Sequence, residues 1–324
     1  MTNYNAGIIG CGDIGFLFDH KNFNTGALTH FRALENSKHF SLKAVSEKRR
    51  GIRKIIEKDH KIPAYEDYEK MLEENDLDVI SIATNDESHM EILKQLTRYK
   101  PKLVFCEKPL ALNYSDVKEI IKIYDKSGIH LQVNYTRRFI DEFSEIGDLI
   151  GSGKLGEVES ATFYYSRGLI HNASHYLDLV NWYFGSKEYQ IIKISEKKGI
   201  SINDNTVSFN MSYKNGTEIR FIGLNPTKLS FAEIDIIGTK GRIKVNYKNE
   251  IEKYKVSENK IYKGYKIYNL TASRPVNFFK ALPNAVENIY NVLEGRDVLS
   301  SPAGNSLKIF DLINRIKERP ICRT

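Results

Sequence analysis

One short stretch combines a buried strand with groups that can do chemistry. Leu103–Cys106 is an apolar run, and Glu107, Lys108 and Pro109 follow it directly. Such a run predicts a fully buried strand. Pro109 has no N–H to give to a sheet and favours an extended backbone at Lys108, so the strand should end with that lysine at its carboxyl end. Ligands of open α/β sheets bind at this edge, where a lysine can donate a hydrogen bond to a carbonyl or alkoxide oxygen or transfer a proton.

A second group of titratable side chains lies near the middle of the chain. His171, His175 and Asp178 are spaced i, i+4 and i+7, so they share one face of a helix if that helix begins early enough. Two histidines at this spacing can bind a metal, but no third ligand of a suitable type is nearby, and we predict no metal site. The chemical alternative is that His175 donates a proton to a substrate. The structural alternative is a buried histidine that is satisfied by hydrogen bonds.

A glycine-rich turn at the start of the chain predicts a dinucleotide site. The apolar strand Ala6–Ile9 runs directly into Gly10, Gly12 and Gly15. Gly10 allows a tight turn, Gly12 lets the backbone approach a pyrophosphate, and Gly15 lets the following helix pack close to the strand. The N-terminus of that helix offers N–H groups and a positive dipole end to the phosphates. The predicted cofactor contacts in this turn are Gly10, Gly12, Asp13, Ile14 and Gly15.

The end of the second predicted strand, Ser41–Ser46, bears on which cofactor is bound. Glu47 follows it, and an acid at this position accepts hydrogen bonds from the ribose hydroxyls of NAD. Lys48, Arg49 and Arg50 come next, and guanidinium groups can instead hold the 2′-phosphate of NADP. The simpler interpretation of the basic residues is the solvated start of a helix. We therefore predict NAD, with Glu47 and Lys48 as contacts, and leave NADP open.

Polar side chains follow the other predicted strands of the first half. Leu77–Ala83 is a buried strand by composition, and His130–Asn134 is the last strand of the pattern. Polar groups at the carboxyl ends of parallel strands can line a cofactor or substrate site. His89 is equally explained as a helix-start residue that bonds to the backbone. The cofactor contacts predicted at these strand ends are Thr84, Asn85, His89, Glu107, Lys108 and Asn134, and Arg137 is a predicted substrate contact.

The order of these elements predicts the fold class. Strands alternate with helices in the first half, which is the signature of a doubly wound parallel sheet. After the helix Ile140–Ile150 the pattern changes, and between Tyr189 and Ile267 strands alternate with turns. We predict an α/β Rossmann domain at residues 1–134, followed at residues 135–324 by an α+β domain with a large, mostly antiparallel sheet. Its predicted strands are Thr206–Tyr213, Glu218–Leu224, Phe231–Ile237, Arg242–Tyr247, Lys253–Val256 and Tyr262–Ile267, and terminal helices are predicted at Val276–Leu293 and Ser306–Ile316.

Length and composition fit a soluble protein of two domains. With 324 residues, 41% hydrophobic and 27% charged, the chain can form two cores beneath an ordinary polar surface. No apolar run approaches the roughly 18 residues of a membrane span, and the N-terminus does not have the pattern of a signal peptide. Three cysteines without metal-like spacing are typical of a reducing cytoplasm. The net charge of +7 comes from scattered residues, which argues against nucleic-acid binding and leaves an anionic small substrate open.

Taken together, the motifs resemble the Gfo/Idh/MocA family, named after glucose–fructose oxidoreductase, inositol dehydrogenase and a rhizopine-catabolism protein. The matching segments occur in family order across most of the chain and are Gly10–Gly15, Pro63–Tyr68, Asp78–Thr84, Glu107–Pro109, Leu155–Val158 and His175–Asp178. The resemblance implies a nucleotide-binding domain, a mainly β substrate domain, and a homodimer or homotetramer formed through the C-terminal sheet. It also implies nicotinamide-dependent oxidation or reduction of a sugar, a cyclitol or a nucleotide-linked sugar.

The resemblance also implies roles for individual residues. Lys108 matches the family's catalytic lysine and His175 its catalytic histidine, while His171 stands where many members have an aspartate. We therefore expect Lys108 to hydrogen-bond the reacting oxygen and His175 to transfer its proton. His171 and Asn172 are expected to orient the substrate or to tune His175. The extra segment Phe16–Thr25, after the glycine turn, is a further departure that is expected to shape substrate access.

Two other functions are compatible with the same family. Some members hold NAD tightly and use a transient oxidation to cleave glycosides, and retained cofactor without net NADH would indicate that activity. A relative in yeast is a regulator that senses a nucleotide and binds a transcription factor. A sensor need not keep both Lys108 and His175, so their presence favours an NAD(P)-dependent dehydrogenase or reductase acting on a CH–OH group.

Overall fold

The computed structural model describes residues 3–21, 26–185, 188–201, 203–225, 227–228 and 231–322 of the chain. It contains two compact units. The first comprises Met1–Ile140 and Phe278–Leu307, and the second comprises Asp141–Asn277 and Lys308–Thr324. The predicted division into residues 1–134 and 135–324 stays a prediction, because compact packing does not by itself show which segments fold independently.

The first unit is built on a six-stranded sheet. Its strands are β1 (Tyr4–Ile9), β2 (Phe40–Ser46), β3 (Ala64–Tyr65), β4 (Val79–Ile82), β5 (Leu103–Cys106) and β6 (His130–Val133). Their order is β3-β2-β1-β4-β5-β6, and every neighbouring pair is parallel. The helices between them are α1 (His30–Glu35), α2 (Arg50–His60), α3 (Tyr68–Glu74), α4 (Asp86–Tyr99) and α5 (Tyr114–Ser127). The predicted doubly wound sheet is confirmed, and its winding reverses between β1 and β4, where ligands bind in such folds.

The central strands form because short apolar runs can be buried on both faces of a sheet. Every residue of β4 and of β5 is buried. Each large aliphatic or aromatic side chain removed from water in this way stabilises the fold by about 1.5–3 kcal/mol. Local signals bound the flanking helix α5: Asn113 accepts a hydrogen bond from the Asp116 N–H at its start, and Gly128 has a left-handed conformation at its end.

The segment after the glycine turn differs from the prediction. The expected helix is only a π-helical turn, Asp13–Leu17, and α1 begins later, at His30. The predicted insertion Phe16–Thr25 begins within the π-helical turn and ends before α1, and its residues 22–25 lie outside the described residues. The three basic residues after Glu47 lead into α2, which begins at Arg50, as the simpler interpretation of them requires.

The second unit is built on an eight-stranded sheet. Its elements are α6 (Asp141–Gly151), β7 (Val158–Tyr165), α7 (Ser174–Phe184), β8 (Tyr189–Lys197), β9 (Thr206–Tyr213), β10 (Glu218–Gly223), β11 (Glu233–Gly238), β12 (Gly241–Val245), β13 (Glu250–Glu258) and β14 (Lys266–Pro275). Of the helices that follow along the chain, α8 (Ala281–Leu293) belongs to the first unit, and α9 (Gly304–Glu318) begins in the first unit and ends in the second. The strand order is β14-β13-β12-β11-β7-β10-β9-β8, and all neighbours are antiparallel except β7 and β10. The predicted mostly antiparallel sheet is confirmed. Among the helices described, none combines the length and apolar character needed to cross a membrane.

The last predicted strand, Tyr262–Ile267, is wrong in position. β14 begins only at Lys266, and the residues before it form a turn after β13. Within that turn, Asn259 Oδ1 accepts two backbone N–H groups, and Gly264 has φ +88°. Tyrosine and isoleucine favour strands by type, so the turn-forming side chain and the glycine decided where this strand begins.

Candidate functional site

The glycine turn at the end of β1 has the shape that a dinucleotide requires. Gly10 has φ +93°, and a Cβ there would lie 2.7 Å from the Ala83 carbonyl oxygen. A Cβ on Gly15 would lie 2.2 Å from the Gly10 oxygen, so only glycine lets this turn close. A Cβ on Gly12 would meet only an Arg49 guanidinium nitrogen, at 3.5 Å. The backbone at Gly12 is therefore accessible to a phosphate on that side.

The helical turn after Gly12 provides donors for such a phosphate. Two N–H groups of the π-helical turn bond to the Gly12 oxygen, at 2.8 and 2.9 Å. The N–H groups of Asp13, Ile14 and Gly15 come before these first intrahelical bonds, and helices leave such donors for external acceptors. A pyrophosphate is the ligand that they hold in dinucleotide-binding folds, so the residues present fit NAD.

Glu47, at the carboxyl end of β2, is buried and strongly hydrogen-bonded. Its carboxylate accepts the Cys11 N–H at 3.0 Å, and Arg49 holds it through Nε at 2.8 Å and a terminal nitrogen at 3.0 Å. Burial raises the pKa of Glu47, but the hydrogen bonds from Arg49 and Cys11 outweigh this, and the pKa lies below its usual value. Glu47 is therefore an ionised group that touches the glycine turn, with Lys48 exposed beside it.

The end of β4 carries the next group of predicted contacts. Thr84 Oγ1 accepts the Ser88 hydroxyl at 2.8 Å, and Asn85 is exposed at the start of α4. His89 is fully buried, with Nδ1 2.9 Å from the Pro109 oxygen and Nε2 3.3 Å from the Thr84 oxygen. The imidazole thus bonds to the backbone after β4 and after β5. These contacts match the structural alternative for His89, and its role as a cofactor contact stays a prediction.

A buried polar network surrounds Glu107, the residue before Lys108. Its Oε1 accepts Asn134 Nδ2 at 2.6 Å and lies 2.8 Å from His30 Nε2. Its Oε2 accepts the Lys108 backbone N–H at 3.3 Å. Burial raises the pKa of Glu107, but the hydrogen bonds from His30 and Asn134 and the charge of Lys108 outweigh this and lower it overall. The structure therefore places two predicted site residues, Lys108 and Asn134, around the negative charge of a third, Glu107.

The predicted cofactor contacts of the first unit lie at one edge of its sheet. Because all six strands are parallel, their carboxyl ends are on the same side. The residues that follow these ends are Gly10–Gly15, Glu47–Lys48, Thr84–Asn85, Glu107–Lys108 and Asn134. Arg137, the predicted substrate contact, is half-buried in a 3-10 helix, Thr136–Phe139, soon after β6.

In the second unit, His171 is paired with a carboxylate. Its Nδ1 lies 2.5 Å from Asp204 Oδ2, and the same oxygen accepts the His171 N–H at 3.0 Å. Asp204 Oδ1 accepts the Ile170 N–H at 2.7 Å. Burial raises the pKa of Asp204, but the bonds from His171 and the backbone outweigh this and lower it overall. Gly168 has φ +93°, and a Cβ there would lie 2.0 Å from Asp204 Oδ2, so a glycine is required beside this pair.

The two predicted histidines of this unit lie in continuous helical structure. A π-helical segment, Leu169–Ala173, runs directly into α7, so the helix begins early enough to include His171 as well as His175. Both side chains are partly exposed. Asn172 Nδ2 donates to the Ser166 oxygen at 2.8 Å, which ties this amide to the chain before the helix. The roles of these residues toward a substrate stay predictions.

Three residues of these networks were not predicted from the sequence: His30, Ser81 and Asp204. Ser81 Oγ lies 2.5 Å from His30 Nδ1, on the far side of the imidazole from Glu107. A histidine at the start of a helix and a serine in a buried strand are visible in the sequence, but nothing local links either of them to Glu107. Asp204 lies in a polar connector, where acids are common.

Asp204→Asn is expected to lower the free energy of unfolding by about 1–3 kcal/mol, because the buried donors around it lose an ionised acceptor. The folded pKa of Asp204 lies below its unfolded value, so its contribution is present above the unfolded pKa and is lost as the pH falls through the folded pKa. The difference between variant and wild type in urea denaturation should therefore shrink on acidification. Asp148→Asn, at an exposed position on α6, is the matched control. A difference that does not change with pH would contradict the prediction.

Comparison with known proteins identifies the family. Residues 4–135 match the Gfo/Idh/MocA family model, described as an oxidoreductase family with an NAD-binding Rossmann fold. Residues 4–135 therefore carry the NAD-binding Rossmann domain of this oxidoreductase family. The family predicted from the motifs is confirmed, and so is NAD as the cofactor of the first unit. The homo-oligomer that the family resemblance implies stays a prediction.

Relatives and solved structures agree with this match. The oxidoreductase YrbE of Bacillus subtilis is 25% identical over 260 residues, which cover 73% of this chain and 72% of YrbE. The myo-inositol 2-dehydrogenase of Thermotoga maritima is 27% identical over 151 residues, which cover 47% of this chain and 42% of that enzyme. An oxidoreductase from Agrobacterium radiobacter, solved in complex with NAD+, L-tartaric acid and magnesium, has the same fold. Its TM-score is 0.76 at 17% identity, covering 98% of this chain and 96% of that one.

Proposed function

We propose that this oxidoreductase transfers a hydride reversibly between NAD and a secondary alcohol or ketone carbon of a sugar, a cyclitol or a nucleotide-linked sugar. The observation that carries the proposal is the meeting of the glycine turn, Glu47 and the Glu107–Lys108 pair at one edge of the first sheet. A nucleotide cradle next to a lysine held beside a fixed anion suits hydride transfer at a polarised carbon–oxygen bond. NAD, when bound, supplies the redox chemistry at its nicotinamide ring.

Lys108 acts on the reacting oxygen. It donates a hydrogen bond to that oxygen and stabilises the negative charge that develops there during hydride transfer. Glu107 supports this role because its carboxylate holds the backbone N–H of Lys108.

His175 carries the hydroxyl proton, and His171 supports substrate binding. Because Asp204 is ionised and bonded to His171 Nδ1, the imidazole of His171 is held in a fixed orientation near the start of α7. The net charge of +7 favours an anionic part of the substrate. The L-tartaric acid in the Agrobacterium radiobacter structure combines carboxylates with secondary hydroxyls. A nucleotide-linked sugar offers the same combination of negative charge and secondary hydroxyls.

Glu47→Gln is expected to shift the ratio of the dissociation constants for NAD and NADP by about tenfold toward NADP, which corresponds to about 1.4 kcal/mol. The carboxylate repels a 2′-phosphate, and its loss also releases Arg49, which can then pair with that phosphate. Titration of each cofactor, followed by calorimetry, measures the ratio. Glu66→Gln removes an exposed carboxylate that pairs with Arg53 and should leave the ratio unchanged. Equal ratios for wild type and Glu47→Gln would contradict the prediction.

The experiment that tests the proposed function is a substrate panel. Sugars, cyclitols and nucleotide-linked sugars are incubated with the protein and with either NAD or NADP, and the absorbance of the reduced cofactor is followed. Turnover of at least one class, with NAD preferred, is expected. Glycoside cleavage with retained cofactor and no net NADH would instead identify a glycosidase. Stoichiometric capture of a protein partner without turnover would identify a regulator.

A further inference from the structure

We propose that His30 is a positioning residue for Lys108, and that it acts by holding the carboxylate of Glu107. This inference rests on the proposed function, in which Lys108 polarises the reacting oxygen. His30 and Ser81 are each 1% exposed, so the network that they form with Glu107 is closed to solvent. His30 Nε2 lies 2.8 Å from Glu107 Oε1, and His30 Nδ1 lies 2.5 Å from Ser81 Oγ.

The direction of the hydrogen bonds follows from the charge of Glu107. Its pKa is lowered overall despite burial, so the carboxylate is ionised and can only accept. His30 Nε2 must therefore carry a proton and donate it, and Asn134 Nδ2 donates to the same oxygen. The Ser81 hydroxyl satisfies His30 Nδ1 in either protonation state, because a hydroxyl can donate or accept. Cys106, the buried neighbour of Glu107, stays neutral because burial raises its pKa.

The two oxygens of Glu107 link His30 to the lysine. Oε1 takes the two side-chain donors, and Oε2 takes the backbone N–H of Lys108. Removal of the imidazole leaves Oε1 with one donor fewer in a buried place, where the carboxylate can rotate or bind a proton. Either change disturbs both the backbone bond and the negative charge beside the ammonium of Lys108. A misplacement of about 1 Å at a reacting group can cost about 10²-fold in rate.

The insertion after the glycine turn explains why His30 occupies this position. Asp19 Oδ2 accepts the N–H groups of Leu28 and Thr29, and the Thr29 hydroxyl donates to Asp19 Oδ1 at 2.6 Å. The Thr29 side chain also accepts the Arg32 N–H and so caps α1, whose first residue is His30. Asp19 is 4% exposed, so its hydrogen bonds to Leu28 and Thr29 lie in the core of the unit. We therefore infer that Asp19, in the first part of the insertion, helps to fix the position of His30.

The test compares three variants by a measurement that does not need turnover. Lys108 is partly exposed, and its acetylation by acetic anhydride over a pH series is read by peptide mass spectrometry. Glu107→Gln removes the carboxylate that accepts the Lys108 backbone N–H, and it should move the labelling midpoint of Lys108 because the lysine is no longer held in the same place. His30→Ala should shift the midpoint in the same direction. His30→Gln, whose amide can still donate to Glu107, should restore the wild-type midpoint.

Controls separate a positioning role from a purely structural one. His39 is also buried, at 4% exposure, and its ring stacks on Tyr290 before the amino end of β2. His39→Ala should lower stability without moving the labelling midpoint of Lys108. If His30→Ala does not fold, Ser81→Ala, which removes the other partner of the imidazole, should give a smaller shift in the same direction.

The outcomes are distinct. With a substrate from the panel, His30→Ala should lower kcat by about 10-fold to 100-fold at unchanged NAD affinity, and His30→Gln should recover most of it. An unshifted labelling midpoint in the folded His30→Ala variant, or in Ser81→Ala where that variant is needed, overturns the proposal whether or not the protein turns over a substrate. A shifted midpoint in a protein that oxidises no member of the panel supports the positioning role and counts against the proposed function instead.

Discussion

Lys108→Ala is expected to lower kcat by about 10²–10³-fold, because a preorganised donor to the reacting oxygen is lost. The dissociation constant for NAD should stay close to that of wild type, since the glycine turn and Glu47 are untouched. Steady-state rates measured by the absorbance of the reduced cofactor, together with calorimetric titration of NAD, separate the two effects. Lys108→Arg keeps the charge but presents a planar fork, so we expect only partial activity.

A matched control for this prediction lies at the other end of the same strand. Lys102 precedes β5 at its amino end, opposite the cofactor edge, and forms an ion pair with Asp78 at 2.7 Å. Lys102→Ala removes the same number of atoms and the same charge and should leave kcat unchanged. If Lys108→Ala turned over substrate at the wild-type rate, the proposed role of this lysine would be wrong, whatever the activity of the protein.

His175→Ala is expected to lower kcat by about 10²–10⁴-fold, which is the usual contribution of a positioned general acid or base. The same variant should flatten the pH dependence of kcat, because the group that transfers the proton is lost. A structural histidine would lower stability without flattening the profile. The measurement is therefore the full profile of kcat against pH, recorded with the best substrate of the panel.

The control for His175 is a histidine with no proposed contact to substrate. His130 is exposed at the amino end of β6, so His130→Ala should keep both kcat and its pH profile. A second comparison uses Asp204→Asn, which leaves His175 in place but removes the ionised partner of His171. Its effect on KM should exceed its effect on kcat, because we assign His171 to substrate binding. A wild-type profile in His175→Ala would exclude it as the group that carries the proton.

The sequence was sufficient to predict those elements that depend on residues close together in the chain. The run Leu103–Cys106 is a strand with the predicted bounds, and Thr206–Tyr213 was also placed correctly. Both strands are short runs of residues that are mostly buried in the structure, so the burial that the sequence pattern predicts is the burial that is observed. The glycines at positions 10 and 15 were informative because each meets a constraint that other side chains cannot satisfy in that turn, and Gly12 leaves its backbone accessible to a phosphate.

Contacts between distant residues were beyond the reach of the sequence pattern. His30 and Glu107 are 77 positions apart, and His171 and Asp204 are 33 positions apart. Both pairs depend on how strands and connectors are brought together, and no spacing rule predicts them. The carboxylate partner of His171 comes from the connector before β9, although the sequence suggested that this histidine merely replaces an aspartate of the helix.

The sequence by itself determined the family, the dinucleotide turn and the lysine at the end of β5, because these depend on residue types at short, fixed spacings. Only the tertiary structure decided which carboxylates are buried and which side chains hydrogen-bond to them. It buried Glu107 between His30 and Asn134, and it set Asp204 against His171. The physical reason is that a buried carboxylate stays ionised only where enough donors converge on it, and that convergence is a property of the fold rather than of any segment.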